Sequence, residues 1–197
     1  MAGQGANENV SNGHIWIGDD GPNTFTFTNQ AKVPLVLVLW DFLPNGDQAA
    51  FMNVRRPKVS YSLHNRDEVT VSVANGVSGG WSTLVNSETR LTQHGLIDNT
   101  WGEFTTGEHA TVDISREVNM SGTGIAVRTS GGCTSDMDTC VFVCRSGTTC
   151  GESGTYELLN CQPGSQPGAA HGTFANAASG GCQGWSNGGR LQVTLGS

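Results

Sequence analysis

Residues 24–40, TFTFTNQAKVPLVLVLW, decide the fold class of this chain. Apolar and polar residues alternate from Thr24 to Thr28, which places Phe25 and Phe27 on one face of a β-strand. Leu35 to Trp40 is apolar throughout, and this pattern is typical of a strand that is covered on both faces. We therefore predict that the two segments are strands that pair with each other in the centre of a sheet.

Shorter alternating segments follow at intervals of about 10 to 15 residues, which is the spacing of an all-β sandwich. Val59 to Leu63 and Val69 to Val73 are separated by turn-forming residues, and this predicts a hairpin. Trp101 to Thr105 and Ala110 to Ser115 flank another short turn. Arg190 to Leu195 alternates again, so we expect it to return to the main sheet as the final strand.

The composition supports a turn-rich β protein, because 28 of the 197 residues are Gly and only 14% are charged. A formal net charge of −7 argues against nucleic acid or an anionic membrane as partner, since both are bound through Lys and Arg. No apolar run approaches the roughly 20 residues that a membrane helix needs. We expect a monomer without a cofactor or metal.

All six cysteines lie in the last third of the chain, in a segment rich in Gly and Ser. An even number of cysteines in such a segment predicts a disulfide framework and an extracellular location. Cys144 and Cys150 flank a short turn and are the expected local bridge. A zinc site that includes Cys140 and Cys144 is the alternative. The predicted disulfide cysteines are Cys133, Cys140, Cys144, Cys150, Cys161 and Cys182.

The chain divides by composition into a polar N-terminal segment, residues 1–22, and a single β domain, residues 23–197. We expect no core to depend on the first dozen residues after Met1. They do not have the pattern of a signal peptide, so we interpret them as a start that follows processing, with a leaderless native start as the alternative. Within the β domain, residues 131–185 form a lobe of cysteine-bearing loops.

Five acidic residues cluster between positions 98 and 117. If residues 101–105 and 110–115 pair through the turn between them, Glu103 and Asp113 approach each other on one face of the sheet. Two close carboxyls raise one pKa and leave the other group ionised, as glycoside hydrolysis requires. The alternative is that all five are ordinary solvated residues. They are Asp98, Glu103, Glu108, Asp113 and Glu117.

Two further features suggest binding. Trp81, Trp101 and Trp185 each border a glycine and are the tryptophans that we expect to be exposed, and Trp101 is a candidate platform for a sugar ring. Asp136 and Asp138 are spaced to hold a calcium ion or, alternatively, to cap a turn.

Four sequence segments, taken in order, resemble the thaumatin-like family over about residues 23–130. They are Phe25-Thr26-Phe27-Thr28-Asn29 leading into LVLVLW, Trp81 after a Gly pair, Trp101-Gly102-Glu103-Phe104, and the segment from Val112 to Met120. The chain as a whole is also similar to small secreted fungal proteins of the effector type. The thaumatin-like resemblance implies a flattened β-sandwich, a disulfide-rich second lobe and an acidic cleft between them.

The resemblance also implies roles for single residues. Glu103 matches the glutamate of the family's cleft. Asp113 matches the aspartate of the family's Val-Asp-Val-Ser strand, and Glu117 lies near the position of the next acid in the cleft. No arginine stands at the position after Trp81 where the family has one. The implied function is binding of cell-wall β-glucan through Trp81, Trp101, Glu103, Asp113 and Glu117.

Two alternatives remain open. One is a weak endo-β-1,3-glucanase in which Glu103 and Asp113 are the catalytic carboxyls. The other is a secreted effector or defence protein that recognises a host protein, because such a surface leaves no periodic trace in a sequence.

Overall fold

Fifteen β-strands and no helix are found in the residues that the computed structural model describes, 4–42 and 50–197. These strands form two sheets, which confirms the predicted all-β class. The six-stranded sheet has the order β1 (Ile15–Ile17), β5 (Glu68–Val73), β2 (Asn23–Asn29), β15 (Arg190–Leu195), β9 (Ile125–Thr129) and β10 (Thr134–Ser135).

The nine-stranded sheet forms the second layer. Its main path is β12 (Tyr156–Leu159), β11 (Val141–Cys144), β8 (Thr111–Ser115), β7 (Trp101–Thr105), β6 (Ser78–Val85), β3 (Leu35–Asp41) and β4 (Val59–Leu63). A hairpin of β13 (Ala169–Phe174) and β14 (Ala177–Cys182) joins β8 at its edge. None of the described residues belongs to a helix that could span a membrane.

Aromatic side chains fill the space between the two sheets. Phe25 and Phe27 of β2 meet Trp81 of β6 and Phe104 of β7, with ring centroids 4.9 Å apart for Phe25 and Phe104 and 5.5 Å apart for Phe27 and Trp81. Trp185, from the loop before β15, packs on Phe25. The two layers therefore share one core, as the predicted sandwich requires.

A second, smaller core covers the outer face of β3. Val38 and Trp40 pack there with Ile97 and Trp101, and the rings of Trp40 and Trp101 are stacked at 5.5 Å. The alternate residues of β3, represented by Leu37, face the inner core and are fully buried. The prediction that this apolar strand is covered on both faces is confirmed.

Two predicted pairings are wrong. β2 and β3 lie in different sheets, as do β4 and β5, so neither pair forms a hairpin. β2 pairs with β5 and with β15, whereas β3 lies between β4 and β6. The chain crosses between the layers at each of these turns, because the phenylalanines of β2 and the inner leucines of β3 bury the same core from opposite sides.

The N-terminal segment contributes one strand to the six-stranded sheet. β1 lies inside residues 1–22 and pairs with β5, and Ile15 and Trp16 are almost fully buried. The side chain of Asn7 accepts from Ser60 N and donates to Ser60 O, which docks this segment beside β4. The sheet therefore begins within the segment that composition sets apart.

Three disulfides cross-link the C-terminal lobe, and none of the six cysteines is free. The pairs are Cys133–Cys182, Cys140–Cys161 and the predicted local bridge Cys144–Cys150. The sulfurs of Cys133, Cys140 and Cys182 lie within 4.8 Å of one another, but all three are in disulfides. The zinc interpretation is therefore wrong, because a zinc ligand must be a free thiolate.

Candidate functional site

Glu103 and Asp113 lie directly opposite each other on the antiparallel strands β7 and β8. Their neighbours Phe104 and Val112 point into the sandwich, so alternation turns the two carboxyls to the other face of the sheet. The pairing expected through the turn at residues 106–109 is confirmed. Cross-strand partners have Cβ atoms about 4.5 to 5.5 Å apart, so the two groups interact.

Glu117 joins them from the segment after β8. Its backbone carbonyl accepts a 2.8 Å hydrogen bond from Cys150 N, and Met120 N donates to Thr148 O at 3.0 Å. The Cys144–Cys150 bridge closes the loop that makes both contacts. This disulfide therefore fixes the backbone that carries the third carboxyl.

Two adjoining depressions, of about 360 and 320 Å³, surround these groups. Both are lined by Phe42, Glu103, Glu117 and Tyr156, so they form one continuous surface that we call the carboxyl groove. Other residues that line it are Phe51, Leu96, Trp101, Ser115 and Val118 in the first depression, and Ser78, Thr105, Thr111, Asp113, Phe142 and Ser179 in the second.

All three carboxyls have raised pKa values. Burial raises the pKa of Glu103, and it raises the pKa of Asp113 well above its usual value, with a further contribution from the charges of Glu103 and Glu117. Burial and the charge of Glu103 raise the pKa of Glu117 to about 7, against a lowering by the Ser115 hydroxyl. Near neutral pH the groove therefore holds a mixture of protonated and ionised carboxyls.

No basic side chain compensates these acids among the described residues that line the groove. Arg116, next to Glu117 in sequence, turns away and donates to the carbonyls of Met137 and Met120. Asp113 is only 8% exposed, and its buried Oδ1 has no hydrogen-bond partner. A buried polar atom without a partner is costly, so the groove contains an unsatisfied acceptor.

The expectation that three tryptophans are exposed is wrong. Trp81 is fully buried, and Trp101 and Trp185 are 3% exposed. Trp81 lies in the inner core and cannot stack on a ligand, whereas Trp101 is buried but is among the residues that line the first depression.

Sequence reasoning missed Phe42 and Tyr156, which are half-buried and line both depressions of the groove. Tyr156 reaches it because β12 pairs with β11, and β11 pairs in parallel with β8. No local pattern marks such a long-range contact. Burial raises the pKa of the Tyr156 phenol, and the charges of Glu117 and Glu103 add to this effect.

The remaining candidates lie elsewhere. Asp136 Oδ1 accepts from the backbone N–H groups of Asp138 and Thr139 at 2.9 and 2.8 Å, which is a turn cap rather than a calcium site. Asp98 and Glu108 do not line the groove.

The fold and the groove define an all-β sandwich with a disulfide-bonded lobe and a buried carboxyl cluster on one sheet. The chain belongs to the Allergen Asp f 4-like domain family, which matches residues 19–157. This range includes all three carboxyls and Tyr156.

No curated protein matches the chain. The solved structure of the thaumatin-like xylanase inhibitor TLXI aligns with a TM-score of 0.41 and 12% identity, over 87% of this chain and 97% of that one. A likeness this distant carries no information on the ligand.

Proposed function

We propose that the carboxyl groove is an acidic cleft that binds a polysaccharide, with cell-wall β-glucan as the ligand expected from the sequence. The observation that carries this proposal is the position of Glu103 opposite Asp113, with Glu117 and Tyr156 lining the same groove. The three disulfides support an extracellular site of action.

The groove offers the contacts that sugars need. A protonated carboxyl donates to a hydroxyl oxygen, and an ionised one accepts from a hydroxyl group. The rings of Phe42 and Tyr156 provide apolar surface for the C–H face of a sugar ring. Both depressions lie within the range of about 300 to 1,000 Å³ that is typical of ligand sites.

A pull-down on insoluble β-1,3-glucan, followed by calorimetry with laminarin, tests this proposal. We expect Glu103→Gln and Asp113→Asn to change the affinity about tenfold, which corresponds to about 1.4 kcal/mol. Glu108→Gln is the matched control, because this exposed glutamate lies in the β7–β8 turn outside the groove. Unchanged affinity in both groove variants would mean that glucan binds elsewhere, and no binding by the wild type would overturn the proposal.

A weak endo-β-1,3-glucanase is the second candidate, and the raised pKa of Glu117, to about 7, favours it. A carboxyl that is still protonated near neutral pH is suited to act as general acid beside an ionised partner. In this mechanism Glu103 or Asp113 would be the second carboxyl. The two groups must lie about 5 to 5.5 Å apart for retention, or about 6.5 to 9.5 Å apart for inversion.

Release of reducing sugar from laminarin separates binding from hydrolysis. Binding without turnover in the wild type supports the first candidate. Turnover that Glu103→Gln abolishes, while Glu108→Gln keeps it, would replace the binding protein with a hydrolase.

A further inference from the structure

We propose that the acidic cleft prefers a polysaccharide that carries free amino groups, such as a β-linked glucosamine polymer, over a neutral glucan. This inference rests on the proposed function, because it names the chemical class of glycan that the same groove selects. Its basis is the uncompensated charge of the groove and one unsatisfied buried acceptor.

The acids of the groove have no basic partner in the part of the chain that the structure describes. Three carboxyls face the groove, and every ion pair among the described residues involves Asp41 or Asp67 instead. Arg55, Lys58 and His14 all pair with the carboxylate of Asp41, which is not a member of the carboxyl cluster. These basic side chains therefore do not compensate the charge of the groove. A cationic ligand would therefore supply the counter-charge that the groove lacks.

Asp113 supplies a buried acceptor that has no partner among the described residues. Its side chain is more than nine-tenths buried, it lines the second depression, and its Oδ1 has no hydrogen-bond partner. An ammonium group offers three donors and no acceptor, which matches a cluster of acceptor oxygens. A neutral hydroxyl supplies one donor and no charge, so it compensates less of the cost of burying these groups.

The lining favours a sugar over a peptide lysine as the source of the amino group. Hydroxyl side chains border the acids along the second depression, and Phe42 and Tyr156 form apolar surface next to them. Repeated hydroxyl contacts beside a ring-sized apolar patch suit a pyranose that carries its amine on the ring. These hydroxyl residues are Ser78, Thr105, Thr111 and Ser179.

The proposal predicts a dependence on pH with a definite sign. The titratable groups that face the groove are Glu103 on β7, Asp113 on β8, Glu117 after β8 and the phenol of Tyr156 on β12. Lowering the pH protonates the carboxyls and leaves an amine charged, so amine binding weakens with acid. Binding of a neutral glucan does not require ionised carboxyls and is not weakened in this way.

Calorimetry with three hexasaccharides tests the inference: the glucosamine hexamer, its fully N-acetylated counterpart and laminarihexaose. At pH 7 and low salt, where the Glu117 carboxyl is substantially ionised, we expect the free amine to bind about tenfold more tightly than either neutral hexamer. We expect this preference to fall severalfold between pH 7 and 5, as Glu117 becomes protonated, and in high salt. Glu117→Gln and Asp113→Asn should reduce the preference, whereas Glu108→Gln should keep it.

The outcomes separate the two proposals. Equal affinity for the amine and the neutral hexamers overturns the amino-sugar inference and leaves glycan binding intact. Absence of binding to all three overturns the proposed function together with this inference. A lysine hexapeptide that binds as tightly as the glucosamine hexamer, and loses its affinity in Glu117→Gln, would make the groove a site for a basic protein segment instead.

Discussion

Gly102 determines where the largest side chain of β6 lies. Trp81 is its cross-strand partner, and a Cβ at Gly102 would lie 2.1 Å from the indole Cζ2 of Trp81. The indole therefore lies against the bare backbone of β7 and stacks on Phe104 at 6.0 Å. Gly80, the sequence neighbour of Trp81, suggested an exposed indole. Gly102, its partner on β7, instead leaves the space in which the indole is buried.

We expect Gly102→Ala to destabilise the protein by about 1 to 3 kcal/mol, because the methyl group overpacks the core. Gly172→Ala is the control, since a Cβ there meets only the Ser179 hydroxyl at 3.6 Å. Urea unfolding of both variants measures the difference. Equal midpoints would show that the indole moves aside without cost.

Glu117 is expected to make stability depend on pH. The pKa of its carboxyl is raised from 4.5 to about 7 in the folded protein, so the folded state binds more protons than the unfolded state between these values. The stabilisation by the protonated form is fully present below pH 4.5 and is lost as the pH rises through 7.

Glu117→Gln should remove on the order of 2 kcal/mol of this pH dependence, after allowance for solvent screening. Urea unfolding between pH 4 and 8 measures it, with Glu108→Gln as the control. In this variant the raised pKa values of Asp113 and Glu103 still make the free energy of unfolding fall as the pH rises. A variant curve parallel to that of the wild type would contradict the raised pKa.

Among the strands, β3 has a sequence pattern that correctly indicated its burial on both faces. A strand that is buried on both faces needs apolar residues at every position, and LVLVLW has them. Strand positions were predictable from alternation, whereas partners were not. Alternation shows which face is apolar, but it does not show that β2 and β3 bury their apolar residues from opposite layers.

The same limit applies to the site. Glu103 and Asp113 could be paired from sequence, because a short turn joins their strands and fixes the register. Phe42 and Tyr156 could not, because they reach the groove through strand pairings that are distant along the chain.

We expect Leu37→Ala and Val38→Ala each to cost roughly 2 to 4 kcal/mol, because one opens a cavity in the inner core and the other in the outer core. Ser62→Ala on the neighbouring β4 is the exposed control and should change stability by less than about 0.5 kcal/mol. Thermal unfolding compares the three. An unchanged Tm in either core variant would mean that this face of β3 is not a core.

For the whole molecule, the disulfides should differ in what they stabilise. Cys133–Cys182 spans 49 residues and links the start of β10 in the six-stranded sheet to the end of β14, which pairs with β8 of the nine-stranded sheet, whereas Cys144–Cys150 spans only six. Loop-closure entropy predicts a loss of about 4 kcal/mol for the first bridge and about 2 kcal/mol for the second when both cysteines become Ala.

The short bridge should matter more for binding, because its loop holds the backbone of Glu117. The Cys144→Ala, Cys150→Ala variant should stay folded yet lose glycan affinity. Unfolding curves and calorimetry on the same samples give both values. Full affinity in this variant would show that Glu117 is positioned without the disulfide.

The place of β15 has a consequence for the order of folding. The strand runs parallel to β2 and antiparallel to β9, and so it fills the middle of the six-stranded sheet with residues from the far end of the sequence. A nascent chain on the ribosome has no such strand until residues 190–195 have been made. Until then β2 and β9 each have an unpaired edge, and because unpaired strand edges favour intermolecular pairing, we expect the incomplete chain to be more prone to aggregation than the full one.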